Sequence, residues 1–180
     1  PHQWTKNLLC FAGFFFSGEK VNLNLLFITT TVFILFSMVS SAVYIFNDII
    51  DLEQDRLHPQ KKYRAIASGQ TSINNAIIIG IALFLLSIII SFYVKYSLFI
   101  IIIIYLLNNL VYTLIIKHIP LLDVLSIAFG FVLRLLAGIY IIEVKITAWV
   151  ILLTFFLSIF LAFCKRRAEL FDSFSIKMDI

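Results

Sequence analysis

Acidic residues are scarce in this chain, and four of the ten fall within eight positions, Asp48, Asp51, Glu53 and Asp55. With Asn47 ahead of them they form the run Asn47-Asp48-Ile49-Ile50-Asp51-Leu52-Glu53-Gln54-Asp55. Asp48, Asp51 and Asp55 are spaced i, i+3 and i+7, which at about 100° per residue lines them along one side of a helix. Stacked carboxylates repel, and inside a bilayer each costs roughly 2.5–3.5 kcal/mol. A divalent cation offsets both penalties. Magnesium takes one or two protein carboxylates together with waters and substrate phosphates. The stripe therefore suits a magnesium-pyrophosphate group, with Asp48, Asp51 and Asp55 as metal ligands and Asn47 beside them. The plainer reading is a solvated juxtamembrane helix with incidental acids; the scarcity of acids elsewhere weighs against it.

A basic stretch follows directly, Arg56-Leu57-His58-Pro59-Gln60-Lys61-Lys62-Tyr63-Arg64. Alone, such a stretch serves topology or lipid headgroups. Beside metal-holding acids it makes an arrangement for polyphosphate, in which Arg56, Lys61, Lys62 and Arg64 grip oxygens. His58 reads as a loop residue rather than a base. Asp123 and Arg134 are eleven residues apart, three helical turns, so they point the same way. Arg134 falls inside an apolar run, where an arginine is expensive unless it faces the bundle interior. It is either half of a packing salt bridge, with Asp48 or Asp51 as partner, or a cation at the floor of the phosphate pocket. The small residues Gly130, Ala137 and Gly138 share its side and allow close approach. Asn108 and Tyr112, at i and i+4, either line the pocket or bond helices together.

These groups need a scaffold, and composition names it. Of 180 residues, 62% are hydrophobic and 13% charged, against roughly a quarter charged in soluble domains. Lipid as solvent explains the excess. Three prolines and six glycines break few runs, which favours helices over a barrel. About 20 apolar residues cross the hydrocarbon core. Such runs extend over Leu23–Phe46, Ile73–Val94, Ser97–Ile116, Ile119–Ile142 and Ala148–Cys164. The shorter Leu8–Phe16, behind Trp4 and Lys6, reads as a tilted first span or an interfacial helix, and a sixth, poorly anchored span is the expectation. Cys10 and Cys164 carry no metal spacing and are expected to be inert buried thiols. The start Pro1-His2-Gln3-Trp4 lacks the marks of a signal peptide, and the chain opens without methionine. A fragment of a longer protein is expected, truncated on its C-terminal side.

Charge then orients the spans. If the Asp48–Gln70 loop faces the cytoplasm, that side holds Arg56, Lys61, Lys62, Arg64, Lys117, Lys165, Arg166 and Arg167. Lys20, Lys95 and Lys145 fall opposite. Eight against three is the bias of the positive-inside rule.

The Asn-Asp-x-x-Asp-x-x-x-Asp run at the end of a span resembles the first aspartate-rich motif of the UbiA superfamily of membrane prenyltransferases. Asp55-Arg56-Leu57-His58-Pro59-Gln60-Lys61-Lys62-Tyr63-Arg64-Ala65-Ile66-Ala67-Ser68-Gly69 is similar to the Asp-Arg-x-His-Pro-x-Lys-x-x-Arg-Pro-Ile-Ala-Ser-Gly signature of its decaprenyl-phosphate phosphoribosyltransferase branch. Ala65 stands where that signature has proline. Pro1-His2-Gln3-Trp4-Thr5-Lys6-Asn7 resembles the branch's opening. Lys117-His118-Ile119-Pro120-Leu121-Leu122-Asp123 through Phe131-Val132-Leu133-Arg134-Leu135-Leu136-Ala137-Gly138 resembles its second region, and Lys165-Arg166-Arg167-Ala168-Glu169-Leu170 the polar segment that follows.

The resemblance implies an all-α, multi-pass transmembrane bundle, with residues 1–180 one domain supplying about six of nine helices. It implies Mg2+-dependent transfer of 5-phosphoribose from phosphoribosyl pyrophosphate to a polyprenyl (decaprenyl) phosphate, on the cytoplasmic face of a bacterial or archaeal cell membrane. Asp48, Asp51 and Arg134 are then the expected catalytic residues. Asn47, Lys6, Arg56, Lys61, Lys62, Arg64, Lys117, Asp123, Asn108 and Tyr112 are the expected substrate-binding ones. The bilayer is a partner, and no nucleic-acid partner is read. The alternatives are a prenyltransferase moving an allylic chain onto an aromatic acceptor, or a transporter or inactive scaffold. A transporter would more often show charges near mid-membrane on several spans, and here only Arg134 qualifies.

Overall fold

The computed structural model describes residues 2–16, 22–119, 121–145 and 147–178, with side chains for all of these except 2, 3, 118 and 169–178. Pro1, Lys20 and Pro120, invoked above, lie outside the described residues. A 3₁₀ helix, His2–Phe11, runs into the short helix α1, Ala12–Phe16. Helices α2 (Leu23–Ile50), α3 (Leu52–Leu57), α4 (Ile73–Val94), α5 (Tyr96–Leu114), α6 (Leu122–Ile142) and α7 (Ala148–Met178) follow. No strand occurs among the described residues.

Local chemistry sets the starts. Asn22 caps α2 by accepting from the Asn24 N–H at 2.9 Å, and Ser72 caps α4 by accepting from Asn75 N–H at 3.3 Å. Each satisfies an N–H that the first turn leaves open. Within α2, the hydroxyls of Thr29, Thr30 and Thr31 donate to carbonyls one turn back at 2.7–3.0 Å, so these polar groups ride inside an apolar span.

Five helices among the described residues are long and apolar enough to cross a membrane: α2, α4, α5, α6 and Ala148–Ala168 of α7. Their outward faces leave Phe27, Ile78, Phe92, Phe156 and Phe160 exposed, as expected where lipid, not water, is the solvent. Helix α6 is the most enclosed of the five and α7 the least. The core gathers Val32, Leu35, Phe36 and Val39 of α2, Leu98, Ile102 and Tyr105 of α5, and Leu133 and Ala137 of α6.

Three sequence expectations change. Leu8–Phe16 is not one α-helix: Leu8–Phe11 close the 3₁₀ helix and only Ala12–Phe16 is α-helical. This segment packs on α2 and α6. Gly138 makes that possible, because a Cβ there would lie 1.9 Å from the Cys10 carbonyl oxygen. Cys10 is buried as expected, but Cys164 is exposed on α7. Lastly, the aspartate stripe is not one continuous helix. Asp51, at φ −90° and ψ 10°, ends α2 and precedes α3, although its own N–H still bonds Asn47 O and its carbonyl accepts from Asp55.

Candidate functional site

The end of α2 carries the acids, and two basic side chains close on them. One guanidinium nitrogen of Arg64, Nη1, donates to Asp48 Oδ1 at 2.8 Å and to Asp55 Oδ2 at 2.7 Å. Lys117, between α5 and α6, donates to Asp51 Oδ1 at 2.7 Å. Asp48 and Asp51 keep 28% of their side-chain surface open, whereas Asp55 keeps 3%. Asp55 is therefore closed in by Arg64, while Asp48 and Asp51 face the mouth of the bundle.

The basic loop reaches the acids because it folds back. The His58 Nδ1 accepts from the Gln60 and Lys61 backbone N–H groups at 3.2 and 3.3 Å, so His58 holds a turn. The 3₁₀ turn Lys61–Tyr63 delivers Arg64, buried Ile66 pins the segment, and Gly69 at φ 79° reverses the chain, a conformation glycine adopts without strain. Arg56, Lys61 and Lys62 are exposed on this loop, Lys62 over the Tyr63 ring at 5.2 Å.

Below the acids, α2 carries a polar ridge that its apolar appearance hides. Ser37, Ser40, Ser41, Tyr44, Asn47, Asp48 and Asp51 recur at three- and four-residue steps, and all but Asp48 and Asp51 find neutral or cationic partners deeper in the bundle. Asn47 Oδ1 accepts from Thr113 at 2.7 Å, Tyr44 from Lys6 at 3.5 Å, and Ser41 from the Trp4 indole at 3.1 Å. Asn7 Nδ2 donates to Ser37 at 3.1 Å. Of these groups the serines, Tyr44 and Thr113 did not stand out in the sequence. The 3/4 spacing of the hydroxyls was the available signal.

Arg134 sits at the bottom of this ridge, buried. Its Nε donates to Asn7 Oδ1 at 2.7 Å, Nη1 to Gly130 O at 2.7 Å, and Nη2 to the Tyr105 hydroxyl at 2.8 Å and Ser40 at 3.5 Å. The Tyr105, Phe131 and Phe36 rings surround it at 4.7, 5.6 and 6.0 Å. It pairs with neither Asp48 nor Asp51, so the packing salt bridge considered from sequence is replaced by neutral acceptors and ring faces. A guanidinium fits here because a planar fork can serve four elements at once. Arg134→Leu is expected to cost about 1–3 kcal/mol, since it leaves Asn7 Oδ1 and the Tyr105 hydroxyl with only their long contacts to Ser40, at 3.5 and 3.3 Å. Arg134→Lys should restore only a minor part of that. Thermal midpoints in detergent check both, and a leucine variant as stable as the parent would contradict the role.

The remaining expected residues fall elsewhere around the bundle. Asp123 is buried on α6 and paired with Arg166 of α7. Asn108 exchanges hydrogen bonds with Ser126, donating to its carbonyl at 3.2 Å and accepting from its hydroxyl at 3.0 Å, which joins α5 to α6. Tyr112 is half-buried one turn further along α5. Burial lowers the Lys6 ammonium from its ordinary 10.5 to about 8, with the Lys165 and Arg134 charges adding.

Among the described residues, no three His, Cys, Asp or Glu side chains stand close enough to hold a metal ion; the aspartates are engaged by Arg64 and Lys117. Magnesium asks for less: one or two carboxylates, completed by water and phosphate. Asp48 and Asp51 fit that requirement as hard oxygen donors at i, i+3, each partly open.

Five spans around a polar interior, with aspartates and a folded-back basic loop at one mouth, define a multi-pass helical membrane protein with a charged entrance. The chain belongs to the UbiA prenyltransferase family, whose model matches residues 7–168. It is similar to the decaprenyl-phosphate phosphoribosyltransferase of Corynebacterium glutamicum, 34% identical over 94% of this chain and 52% of that one. The enzyme of the same name from Mycolicibacterium smegmatis is 33% identical over 94% and 55%. The Sinorhizobium fredii protein y4nM is 32% identical over 99% of this chain and 34% of its own length. The chain spans about half the length of the phosphoribosyltransferases it resembles.

Proposed function

We propose that this chain binds phosphoribosyl pyrophosphate at the Asp48–Asp51 mouth and transfers its 5-phosphoribose to a polyprenyl phosphate, releasing pyrophosphate. The observation that carries the reading is the double ion pair of Arg64. It ties to the aspartates a loop that carries two further lysines, and a donor bearing a 5-phosphate as well as a pyrophosphate asks for those extra cations. The names of the relatives support the same donor and acceptor.

In this reading Asp48 and Asp51 hold Mg2+, which supplies positive charge against the leaving pyrophosphate. When the donor arrives, Arg64 keeps Asp55 and exchanges Asp48 for a phosphate oxygen, and Lys117 exchanges Asp51 likewise. Lys61 and Lys62 take the 5-phosphate, with Arg56 at the rim. Asp55 keeps the loop in place. The acceptor phosphate attacks the anomeric carbon as the bond to pyrophosphate breaks. That phosphate is already ionised at neutral pH, so no general base is needed. Lys6 and Arg134 supply positive potential beneath it, and Asn108, Tyr112 and Asp123 shape the wall. The mouth faces the cytoplasm, on the side richer in Lys and Arg.

The double variant Lys61→Gln/Lys62→Gln changes exposed residues, so folding should hold. Its KM for phosphoribosyl pyrophosphate is expected to rise about tenfold or more, while inorganic pyrophosphate inhibits as before. An unchanged KM would contradict the 5-phosphate assignment. Lys6 gives a pH test. Tyr44, Arg134 and Lys165 face it from α2, α6 and α7, and its charge is present below about pH 8. Acceptor use should therefore fall as pH rises through about 8. Stability should move the other way, rising between about 8 and 10.5, because only the unfolded chain still holds that proton there. Lys6→Arg should push the activity limb to higher pH; a profile identical to the parent's would remove Lys6 from acceptor binding.

A further inference from the structure

Helix α7 packs on α6 and on no other element among the described residues. Its apolar length, with Phe156, Phe160 and Phe163 exposed, ends in the run Lys165-Arg166-Arg167. Arg166 turns back onto α6 and donates to Asp123 Oδ2. Asp123 stands in the first turn of α6 with 6% of its side-chain surface open. A buried carboxylate is costly unless a cation meets it, so this ion pair fixes where the basic end of α7 lies. Lys117, just before α6, meets Asp51 at the mouth. The pair therefore seats α7 at the level of the mouth.

Lys165, the neighbour of Arg166, is then within electrostatic reach of Lys6. Burial is the main reason the Lys6 ammonium is lowered to about 8, and the Lys165 charge comes next, ahead of Arg134. Three elements thus bring like charges together: Lys6 from the 3₁₀ helix, Arg134 from α6 and Lys165 from α7. Lys6 meets the Tyr44 hydroxyl at 3.5 Å, and Arg134 meets the neutral acceptors given above. The buried and half-buried carboxylates described at this end are engaged elsewhere, Asp48 and Asp55 by Arg64, Asp51 by Lys117 and Asp123 by Arg166. Cations gathered where the nearby acids are already taken make a place for an anion. That anion arrives with a lipid: α7 is the least enclosed span, so a chain in the bilayer can run along it and bring its phosphate to Lys165.

We propose that Lys165 is a further acceptor-binding residue: the phosphate of the polyprenyl phosphate lies between Lys6 and Lys165, and the Asp123–Arg166 pair is the positioning device that holds Lys165 there. This rests on the transfer proposed above and adds a cation from α7 to its acceptor site.

The test uses the full chain in neutral detergent, without donor, and reads binding of a fluorescent polyprenyl phosphate by anisotropy. Lys165→Gln is expected to weaken binding about tenfold and Lys165→Arg to leave it within about twofold, while the matching polyprenol binds parent and variant alike. Arg166→Gln should weaken binding too, yet add little in a Lys165→Gln background, because it acts through Lys165. With the neighbouring charge gone, Lys6 regains basicity, so the pH at which binding falls should move from about 8 toward 10.5 in Lys165→Gln. Lipid binding unchanged in Lys165→Gln, or a raised KM for phosphoribosyl pyrophosphate in its place, would overturn the assignment. So would full displacement of the lipid by millimolar inorganic phosphate, which would give the site to free phosphate. Lys165-dependent binding in a chain that transfers nothing would sink the transfer and keep this site.

Discussion

Asp51→Asn is expected to lower phosphoribosyl transfer by about a hundredfold or more, with a thermal midpoint within a few degrees of the parent. Asparagine keeps the shape and removes the charge proposed to hold the metal, which also orders Lys117, 2.7 Å away. Losing electrostatic stabilisation aimed at a leaving group costs that much in comparable sites. Asp48→Asn should behave alike, since Asp48 is equally open and shares Arg64. Asp55→Asn should differ. Its carboxylate is buried against Arg64, so its loss should release the basic loop, raising KM for the donor and lowering the midpoint more than the turnover. Initial rates with saturating Mg2+ separate the cases. Full turnover in both Asp48→Asn and Asp51→Asn would remove the metal site.

Gly138→Ala should be the most damaging single methyl in the chain. The new Cβ would stand 1.9 Å from the Cys10 carbonyl oxygen and 2.8 Å from its carbon. Both are backbone atoms, so no rotamer change relieves the clash and the whole N-terminal 3₁₀ helix has to lift off α6. A loss of about 3 kcal/mol or more is expected, at the upper end for overpacking. Lys6 and Asn7 would move with that helix, breaking the bonds to Tyr44, Ser37 and Arg134. Maleimide labelling in a Cys164→Ser background reads this directly. Cys10, wholly buried in the parent, should become reactive in Gly138→Ala and stay protected in the parent. Protection in both would contradict the close docking.

The spans were legible because lipid solvation demands long apolar runs, and α4 has the ends Ile73 and Val94 read from composition. Helices α2 and α7 outrun the expected Phe46 and Cys164, because backbone hydrogen bonding continues after apolarity stops. The aspartates and the basic loop were legible as charges, and their meeting was not. Arg64 bridges Asp48 and Asp55 across sixteen and nine residues, a distance that only the His58 turn, Ile66 and Gly69 close. The polar ridge of α2 went unread because serine and tyrosine are common in apolar helices and carry no charge to mark them. Arg134 stood out in its span, while its partners, four neutral groups from as far as Asn7, left no pattern to read.

The central claim is the identity of the donor, and one measurement bears on it most directly. Membranes containing the full chain are incubated with Mg2+, polyprenyl phosphate and phosphoribosyl pyrophosphate labelled in the ribose, and the lipid is extracted. Label in the lipid is predicted, dependent on Mg2+ and on the polyprenyl phosphate and lost in Asp51→Asn. An unlabelled extract, from membranes that instead move an allylic chain onto an aromatic acid, would contradict it.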